Sequence, residues 1–250
     1  TKAEDWWDCV QKDGTPIQIT LAMDILYPTN PVKDVPVMGL SSSYETRSGD
    51  WLNAIRPHMT AFLFAGYAGA MWDHAYTPMA RDDHYGYFES SGGQRNTFTL
   101  MGWTGIKAQT AAVRRLRYLS DVEGDKYHFD VNHFGVYGHS KGCYVYVLGH
   151  PDPLSLEEQD IFESNPTGKT YGAQPWLTYT DGTPISSTVQ MVYGSSGSGN
   201  LWGSEDFAPM FISQGVNDGA LGADSAYHNY SAIAYQYDIP AMDFTMPGVG

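Results

Sequence analysis

The stretch that decides the fold reads Phe134-Gly135-Val136-Tyr137-Gly138-His139-Ser140-Lys141-Gly142 and continues with the apolar run 143–148. A short apolar segment passes through a Gly-x-Ser-x-Gly sequence into a second one, which predicts a strand, a tight turn and a buried helix. Gly138 and Gly142 keep Cβ atoms away from the neighbouring elements, so the turn can be sharp and strained. We therefore expect the Ser140 hydroxyl to project above the carboxyl end of the strand.

Strand-like and helix-like segments alternate around this turn from about residue 15 onward. The predicted strands are 17–27, 35–40, 67–72, 134–137, 189–193, 208–213 and 241–246, and the predicted helices are 51–65, 106–117, 143–148 and 223–237. This order favours parallel β-α-β units in an α/β fold. Asp50 is expected to cap the first helix, which Pro57 interrupts. Arg114, Arg115 and Arg117 are expected near the end of the second helix, where the helix dipole favours cations.

The composition is typical of one folded domain and argues against several partners. The 250 residues are 42% hydrophobic, enough for a sizeable core, and we interpret 1–250 as a single domain with an irregular, proline-rich excursion at 151–188. The net charge of −14 makes nucleic acid and anionic membranes poor partners. No stretch is long and apolar enough to span a bilayer. The low charged fraction, 17%, suggests an extracellular or cell-surface location.

The cysteines and histidines give no strong metal or disulfide pattern. Cys9 and Cys143 are far apart and form no Cys-x-x-Cys pair, so a single bridge between them stays open. A long loop carries His74 and His84 among acidic residues, but the irregular spacing favours a polar loop over a metal site; the acidic residues are Asp73, Asp82 and Asp83. We therefore expect neither a metal nor another cofactor.

An isolated serine hydroxyl is a weak nucleophile, so Ser140 needs a neighbouring base and an acid that orients that base. Asp218 is the preferred acid, because it lies just past the strand 208–213 on a glycine-containing turn. Asp73 also follows a strand but precedes the serine, and Asp206 falls before its strand. The amide of Lys141, at the start of the helix, points at the space where an oxyanion would form.

With these anchors the chain resembles the α/β-hydrolase superfamily over essentially its whole length. The resemblance implies a mostly parallel sheet with helices on both faces and a triad in the order nucleophile, acid, histidine. The opening is also similar to the group of cocaine esterase and X-prolyl dipeptidyl peptidase, through residues 12–15, 24–28, 36–44 and 66–68. That similarity implies that the Tyr44 hydroxyl contributes to the oxyanion hole. The turn departs from this group at His139 and Lys141.

The superfamily order places the histidine after the last strand, and residues 246–250 resemble the approach to that loop. Among the eight histidines only His228 follows Asp218, and it falls in the predicted helix 223–237, where we expect a surface or packing role. Our hypothesis is that the base and a final helix lie beyond residue 250, so that the fold is truncated here. This chain alone would then turn over its substrate slowly.

The function that this pattern favours is a serine hydrolase acting on a small-molecule ester, or on an amide in a peptide-like substrate. A non-catalytic binding or structural protein with the same fold, and an X-prolyl or prolyl-oligopeptidase-like peptidase, stay open as alternatives. A dienelactone-hydrolase-like enzyme with a cysteine nucleophile is a weaker one, because Cys143 falls inside the helix and is more often core. Aromatic residues in two long loops could stack on a sugar or aryl group or simply pack the loops: Trp72, Tyr76, Tyr85, Tyr87, Trp176 and Tyr179.

Overall fold

A single eight-stranded sheet organises the chain in the computed structural model. The structure describes residues 2–10, 16–30, 34–41, 49–72, 109–123, 127–151, 178–195, 206–215 and 225–246. The strands are β1 Lys2–Val10, β2 Pro16–Leu26, β3 Val35–Ser41, β4 Ala68–Trp72, β5 Phe129–His139, β6 Met191–Ser195, β7 Met210–Gly215 and β8 Ala241–Met246. The helices are α1 Gly49–Phe64, α2 over 109–121, a 3₁₀ helix Ser140–Gly149 and α3 Ser225–Gln236.

The sheet is parallel except at one side. Its strand order is β1-β2-β4-β3-β5-β6-β7-β8, and every pair from β4 to β8 is parallel. Only β1 with β2 and β2 with β4 pair antiparallel. The expectation of a mostly parallel sheet is confirmed. The carboxyl ends of β3 to β8 consequently meet along one end of the sheet, and β5 lies among them with neighbours on both sides.

Helices cover both faces of the sheet, because successive strand residues point to opposite sides. Val35 and Val37 of β3 belong to the larger core cluster, which α2 joins through Val113 and Leu116. Met38 and Leu40, the alternate residues of β3, pack with Met59 of α1 in a second cluster. Apolar surface is thus buried on each side, as the near-continuous apolar runs of parallel strands require.

The helix after β5 is a 3₁₀ helix, and its buried residues recur with the three-residue period of such a helix. In such a helix residues three apart lie in line. Cys143, Tyr146 and Gly149 form one buried line, and Val145 and Leu148 form another. The helix packs mainly against β5 and β6. The predicted buried helix is confirmed, with a 3₁₀ rather than an α geometry and with its start at Ser140.

Two strands differ from the sequence-based expectation. The first strand lies before residue 15 and was not predicted. β1 starts at Lys2 and pairs with β2 along its whole length. The charged residues of β1 interrupt the apolar pattern, so the sequence does not predict this strand, and the pairing with β2 identifies it. The strand before the turn starts at Phe129, not Phe134, and a register shift against β3 accommodates residues 131–133. Asp130 holds that irregularity, accepting from the Asn132 N–H at 3.0 Å and pairing with His133 Nδ1 at 2.6 Å.

The first helix also differs from the prediction, both at Asp50 and at Pro57. It begins at Gly49, so Asp50 lies inside the helix and not at its cap. It continues through Pro57 to Phe64, so the proline does not interrupt it. Packing of Met59 in the core on this face supplies stability that offsets the backbone hydrogen bond that proline removes.

The arginines of α2 are not clustered at an exposed helix end. Arg114 and Arg117 are buried, 0% and 8% exposed, in the middle of the helix. Arg117 donates from Nη2 to the Thr188 carbonyl oxygen at 2.6 Å and lies over the Phe134 ring at 5.8 Å. Arg115 pairs with an acid near the helix end, Glu123, at 3.0 Å. Long arginine side chains can be buried when they find acceptors, and the helical period alone does not show this.

Gly194 of β6 lets the 3₁₀ helix approach the sheet, because a Cβ there would overlap the Tyr146 hydroxyl and ring. We expect Gly194→Ala to lower the free energy of unfolding by about 1–3 kcal/mol, the usual cost of overpacking. Urea denaturation would measure it. The double variant with Tyr146→Leu should lose less than the sum of the two single variants. Unchanged stability of Gly194→Ala would contradict this close packing.

Candidate active site

Ser140 lies where the central strand ends. β5 stops at His139, and Ser140 is the first residue of the 3₁₀ helix. Gly138 is paired in register with Ser41 of β3 on one side and with Gly194 of β6 on the other. The turn therefore leaves the sheet among the carboxyl ends of parallel strands, with strand ends on both sides. This is the strand-to-helix connection that the Gly-x-Ser-x-Gly sequence predicts.

Lys141 lies in the first turn of the 3₁₀ helix, directly after Ser140. The N–H groups of a helix's first turn have no acceptor within the helix and carry the positive end of its dipole. The backbone N–H of Lys141 is thus suited to donate a hydrogen bond to a negatively charged oxygen. Tyr44, the other predicted oxyanion donor, lies outside the described residues, as do Ser42 and Ser43.

The thiol of Cys143 ties the new helix to the strand ends. It donates to the carbonyl oxygens of Gly138 at 3.3 Å and Ser195 at 3.4 Å. The side chain is fully buried, and burial raises the pKa of the thiol to about 12. A buried neutral thiol is a poor nucleophile. Cys143 is therefore a core residue, as expected, and it is free, so no bridge joins it to Cys9.

The acid is expected beyond the next strand but one. β7 ends at Gly215 and is separated from β5 by β6. Asp218 itself lies outside the described residues. Asp206 is exposed and precedes β7, so it belongs to the opposite end of the sheet from Ser140. This confirms that Asp206 is badly placed as the acid. The competitor Asp73 lies outside the described residues.

A buried polar cluster lies beside the turn that carries Ser140, and the sequence pattern does not predict it. Gln109 of α2 accepts a hydrogen bond from Trp72 Nε1 and donates from Nε2 to Ser41 Oγ at 2.7 Å. Gln109 and Ser41 are 0% exposed, and Trp72 is 1% exposed. The cluster joins the last residues of β3 and β4 to α2. A helical pattern shows that position 109 is within reach of the core, but not which strand residues it meets.

An aromatic row crosses β5, β6 and β7 on the face that α1 covers elsewhere. The rings of Tyr137 and Tyr193 are 4.7 Å apart, and those of Tyr193 and Phe211 are 4.6 Å apart. The Tyr193 hydroxyl hydrogen-bonds with Ser213 Oγ at 3.0 Å. Partial burial raises the pKa of Tyr137, and its hydrogen bond to Ser195 partly opposes this rise. These contacts hold the three strand ends in register.

Two of the six aromatic residues predicted for the long loops lie in the described part of the chain, and Trp72 is in fact the last residue of β4. Trp72 is buried against Gly39, and Tyr179 donates to Asp121 Oδ2 at 2.8 Å. Burial, together with that acid, raises the pKa of Tyr179 to about 12. The Trp72 ring, 1% exposed, offers no stacking surface. Tyr76, Tyr85, Tyr87 and Trp176 lie outside the described residues.

The described part of the chain contains no cluster of three or more His, Cys, Asp and Glu residues that could hold a metal. The loop residues His74, His84, Asp82 and Asp83 lie outside it. No described helix is long and apolar enough to cross a membrane.

The Cys143 thiol should resist labelling in the folded protein. In a Cys9→Ser background we expect Ellman's reagent at pH 8 to react with it only as fast as the protein opens, and quickly in urea. The folded pKa lies above the ordinary value near 9. The folded state therefore keeps its proton between about pH 9 and 12 while the unfolded state loses it, and stability falls with rising pH by about 1.4 kcal/mol per unit from this group. Cys143→Ala should remove that part of the slope; fast native labelling would contradict the burial.

No family model matches the sequence, and no curated protein matches it. Solved structures do match the fold. The esterase Est2 of Thermogutta terrifontis aligns at 14% identity with a TM-score of 0.56, covering 92% of this chain and 78% of its own.

Two further structures agree. The carboxylesterase Cest-2923 of Lactobacillus plantarum WCFS1 aligns at 13% identity with a TM-score of 0.58, covering 100% of this chain and 84% of its own. A putative dipeptidyl aminopeptidase IV of Bacteroides ovatus aligns at 13% identity with a TM-score of 0.55; the match covers 99% of this chain but 32% of that one. The sheet order, the central turn and these matches show that the chain has the fold of the α/β-hydrolase superfamily.

Proposed function

We propose that the protein is a serine hydrolase that cleaves a carboxylic ester through Ser140. The observation that carries the proposal is the place of Ser140, at the first residue after the central parallel strand, where the 3₁₀ helix begins. A serine at such a connection stands at the carboxyl ends of the strands, the usual location of ligand sites in open α/β sheets.

The proposed chemistry is acyl transfer in two steps. The Ser140 oxygen attacks the ester carbonyl while the base takes its proton, and the carbonyl oxygen becomes an oxyanion. The N–H of Lys141 and the hydroxyl of Tyr44 stabilise that charge. Collapse of the tetrahedral intermediate expels the alcohol, which receives the proton from the base. Water, activated by the same base, then attacks the acyl-enzyme and releases the acid and Ser140.

Asp218 is proposed as the acid that orients the base. β5 and β7 are two strand spacings apart, about 10 Å, which leaves room for a further group between a serine after β5 and a carboxylate after β7. An imidazole ring with a hydrogen bond of about 3 Å at each nitrogen spans such a gap. The sheet order thus supports a serine and an acid that communicate through a histidine.

The base is proposed to follow β8. β8 pairs parallel with β7, and Met246 is in register with Gly215. The chain that leaves β8 therefore emerges beside the chain that leads to Asp218. His228 lies within α3, which contacts β7 and β8. We therefore propose the first histidine after β8, and not His228, as the base.

The substrate is proposed to be a small-molecule ester. Two of the aligned structures are named as esterases, and the third is named as a putative peptidase. A panel of p-nitrophenyl esters, acetylated and feruloylated sugars and X-Pro amides would separate ester from peptide chemistry. Preference for X-Pro amides would favour the peptidase alternative.

Replacing the nucleophile should abolish turnover. We expect Ser140→Ala to lower kcat for p-nitrophenyl acetate by at least ~10³-fold, because the proposed acyl-enzyme forms on the Ser140 oxygen. Fluorophosphonate labelling of the full-length protein should disappear in the same variant. Ser213→Ala, which removes another hydroxyl near the strand ends, should keep labelling and rate. A full-length wild type that never reacts would support a non-catalytic role.

The histidines give a second test. In the full-length chain we expect substitution of the first histidine after β8 by alanine to cost at least ~10³-fold in kcat, as for other triad members. His228→Ala should change kcat by less than about threefold. A large loss in His228→Ala, or a natural chain with no histidine after β8, would show that the proposed base is wrong.

A further inference from the structure

The Ser41–Gln109–Trp72 cluster is buried, and two hydrogen bonds join its three side chains. Trp72 Nε1 can only donate, so it fixes which end of the Gln109 amide is the oxygen. The Nε2 group must then face Ser41, to which it donates at 2.7 Å. In a buried site each of these groups would cost about 1–3 kcal/mol if left unpaired. The amide is therefore held in one orientation.

The cluster packs against the sheet through Trp72, and it reaches the carboxyl ends of the strands through Ser41. The Trp72 ring lies against Gly39, where a Cβ would overlap it. Ser41 is the last residue of β3 and is in register with Gly138, just ahead of Ser140. The chain that leaves Ser41 leads directly into Ser42, Ser43 and Tyr44. Gln109 thus holds the point from which the proposed oxyanion-hole segment departs.

We propose that Gln109 is a positioning residue for the oxyanion hole, acting through its hydrogen bond to Ser41. This inference rests on the proposed serine hydrolase function. The bond from Gln109 fixes the end of β3 to α2, and the register of β3 with β5 places that end beside Gly138. A donor that follows β3 therefore starts from a fixed position beside the turn that carries Lys141. An oxyanion donor works only when it is already aimed at the developing charge, so a small displacement costs rate.

The test variant is Gln109→Met, which keeps the side-chain length and removes both hydrogen bonds. We expect kcat for p-nitrophenyl acetate to fall about tenfold, with KM within about twofold, because the lost alignment matters in the transition state. The Ki of a trifluoromethyl ketone, whose adduct carries an oxyanion, should rise by the same factor. A merely structural role would not couple these two quantities.

The matched control is Arg117→Met, on the same helix. Arg117 is also buried and donates to the Thr188 carbonyl, which precedes β6 and lies away from the strand ends that carry the site. We expect Arg117→Met to lower the melting temperature at least as much as Gln109→Met. Its kcat and the ketone Ki should stay within about twofold of wild type.

Ser41→Ala and Trp72→Phe complete the set and carry the test if Gln109→Met does not fold. Ser41→Ala should match the effect of Gln109→Met on kcat, and Trp72→Phe should lose less, because it keeps the bond from Gln109 to Ser41. Unchanged kcat in Gln109→Met or Ser41→Ala, or an equal loss in Arg117→Met, would overturn the inference. These results presuppose an active, fluorophosphonate-reactive wild type; a wild type without that reactivity overturns the proposed function, and the inference with it.

Discussion

The parallel register among β3, β5, β6 and β7 is the constraint on which the rest of the structure depends. It places Ser41 beside Gly138, His139 beside Ser195 and Ser195 beside Ser213. Because all four strands run in the same direction, their carboxyl ends and the turns that follow them meet on one side. A serine after β5 and an acid after β7 can share a site only under this arrangement.

The helix after β5 is held to that register by small residues and by the thiol. Gly194 leaves space for Tyr146, and Cys143 hydrogen-bonds to the ends of both β5 and β6. The line of Cys143, Tyr146 and Gly149 suits a 3₁₀ helix, since its buried residues recur at three. On the other face the row of Tyr137, Tyr193 and Phe211 ties the same strands together. The position of Ser140 is thus over-determined by packing from both faces.

Apolar pattern was a good guide to the parallel strands and a poor one elsewhere. The runs at 35–40, 67–72 and 241–246 match β3, β4 and β8 to within a residue. β3 and β4 are buried on both faces, so their sequence alone is distinctive. β1 is half charged and owes its strand conformation to pairing with β2. The burial of Arg117 was not predicted for a related reason, because its acceptor, the Thr188 carbonyl, comes from a distant part of the chain.

What the sequence determined by itself is local: the strand, the turn carrying Ser140 and the helix that follows, together with the α/β alternation around them. These features depend on residues close together in the chain, where periodicity and glycine placement act directly. Tertiary structure alone decided the strand order, the hydrogen bond of Cys143 to the Ser195 carbonyl and the partnership of Ser41, Gln109 and Trp72. Those depend on groups that are far apart in sequence and meet only when the sheet assembles, so no local pattern encodes them.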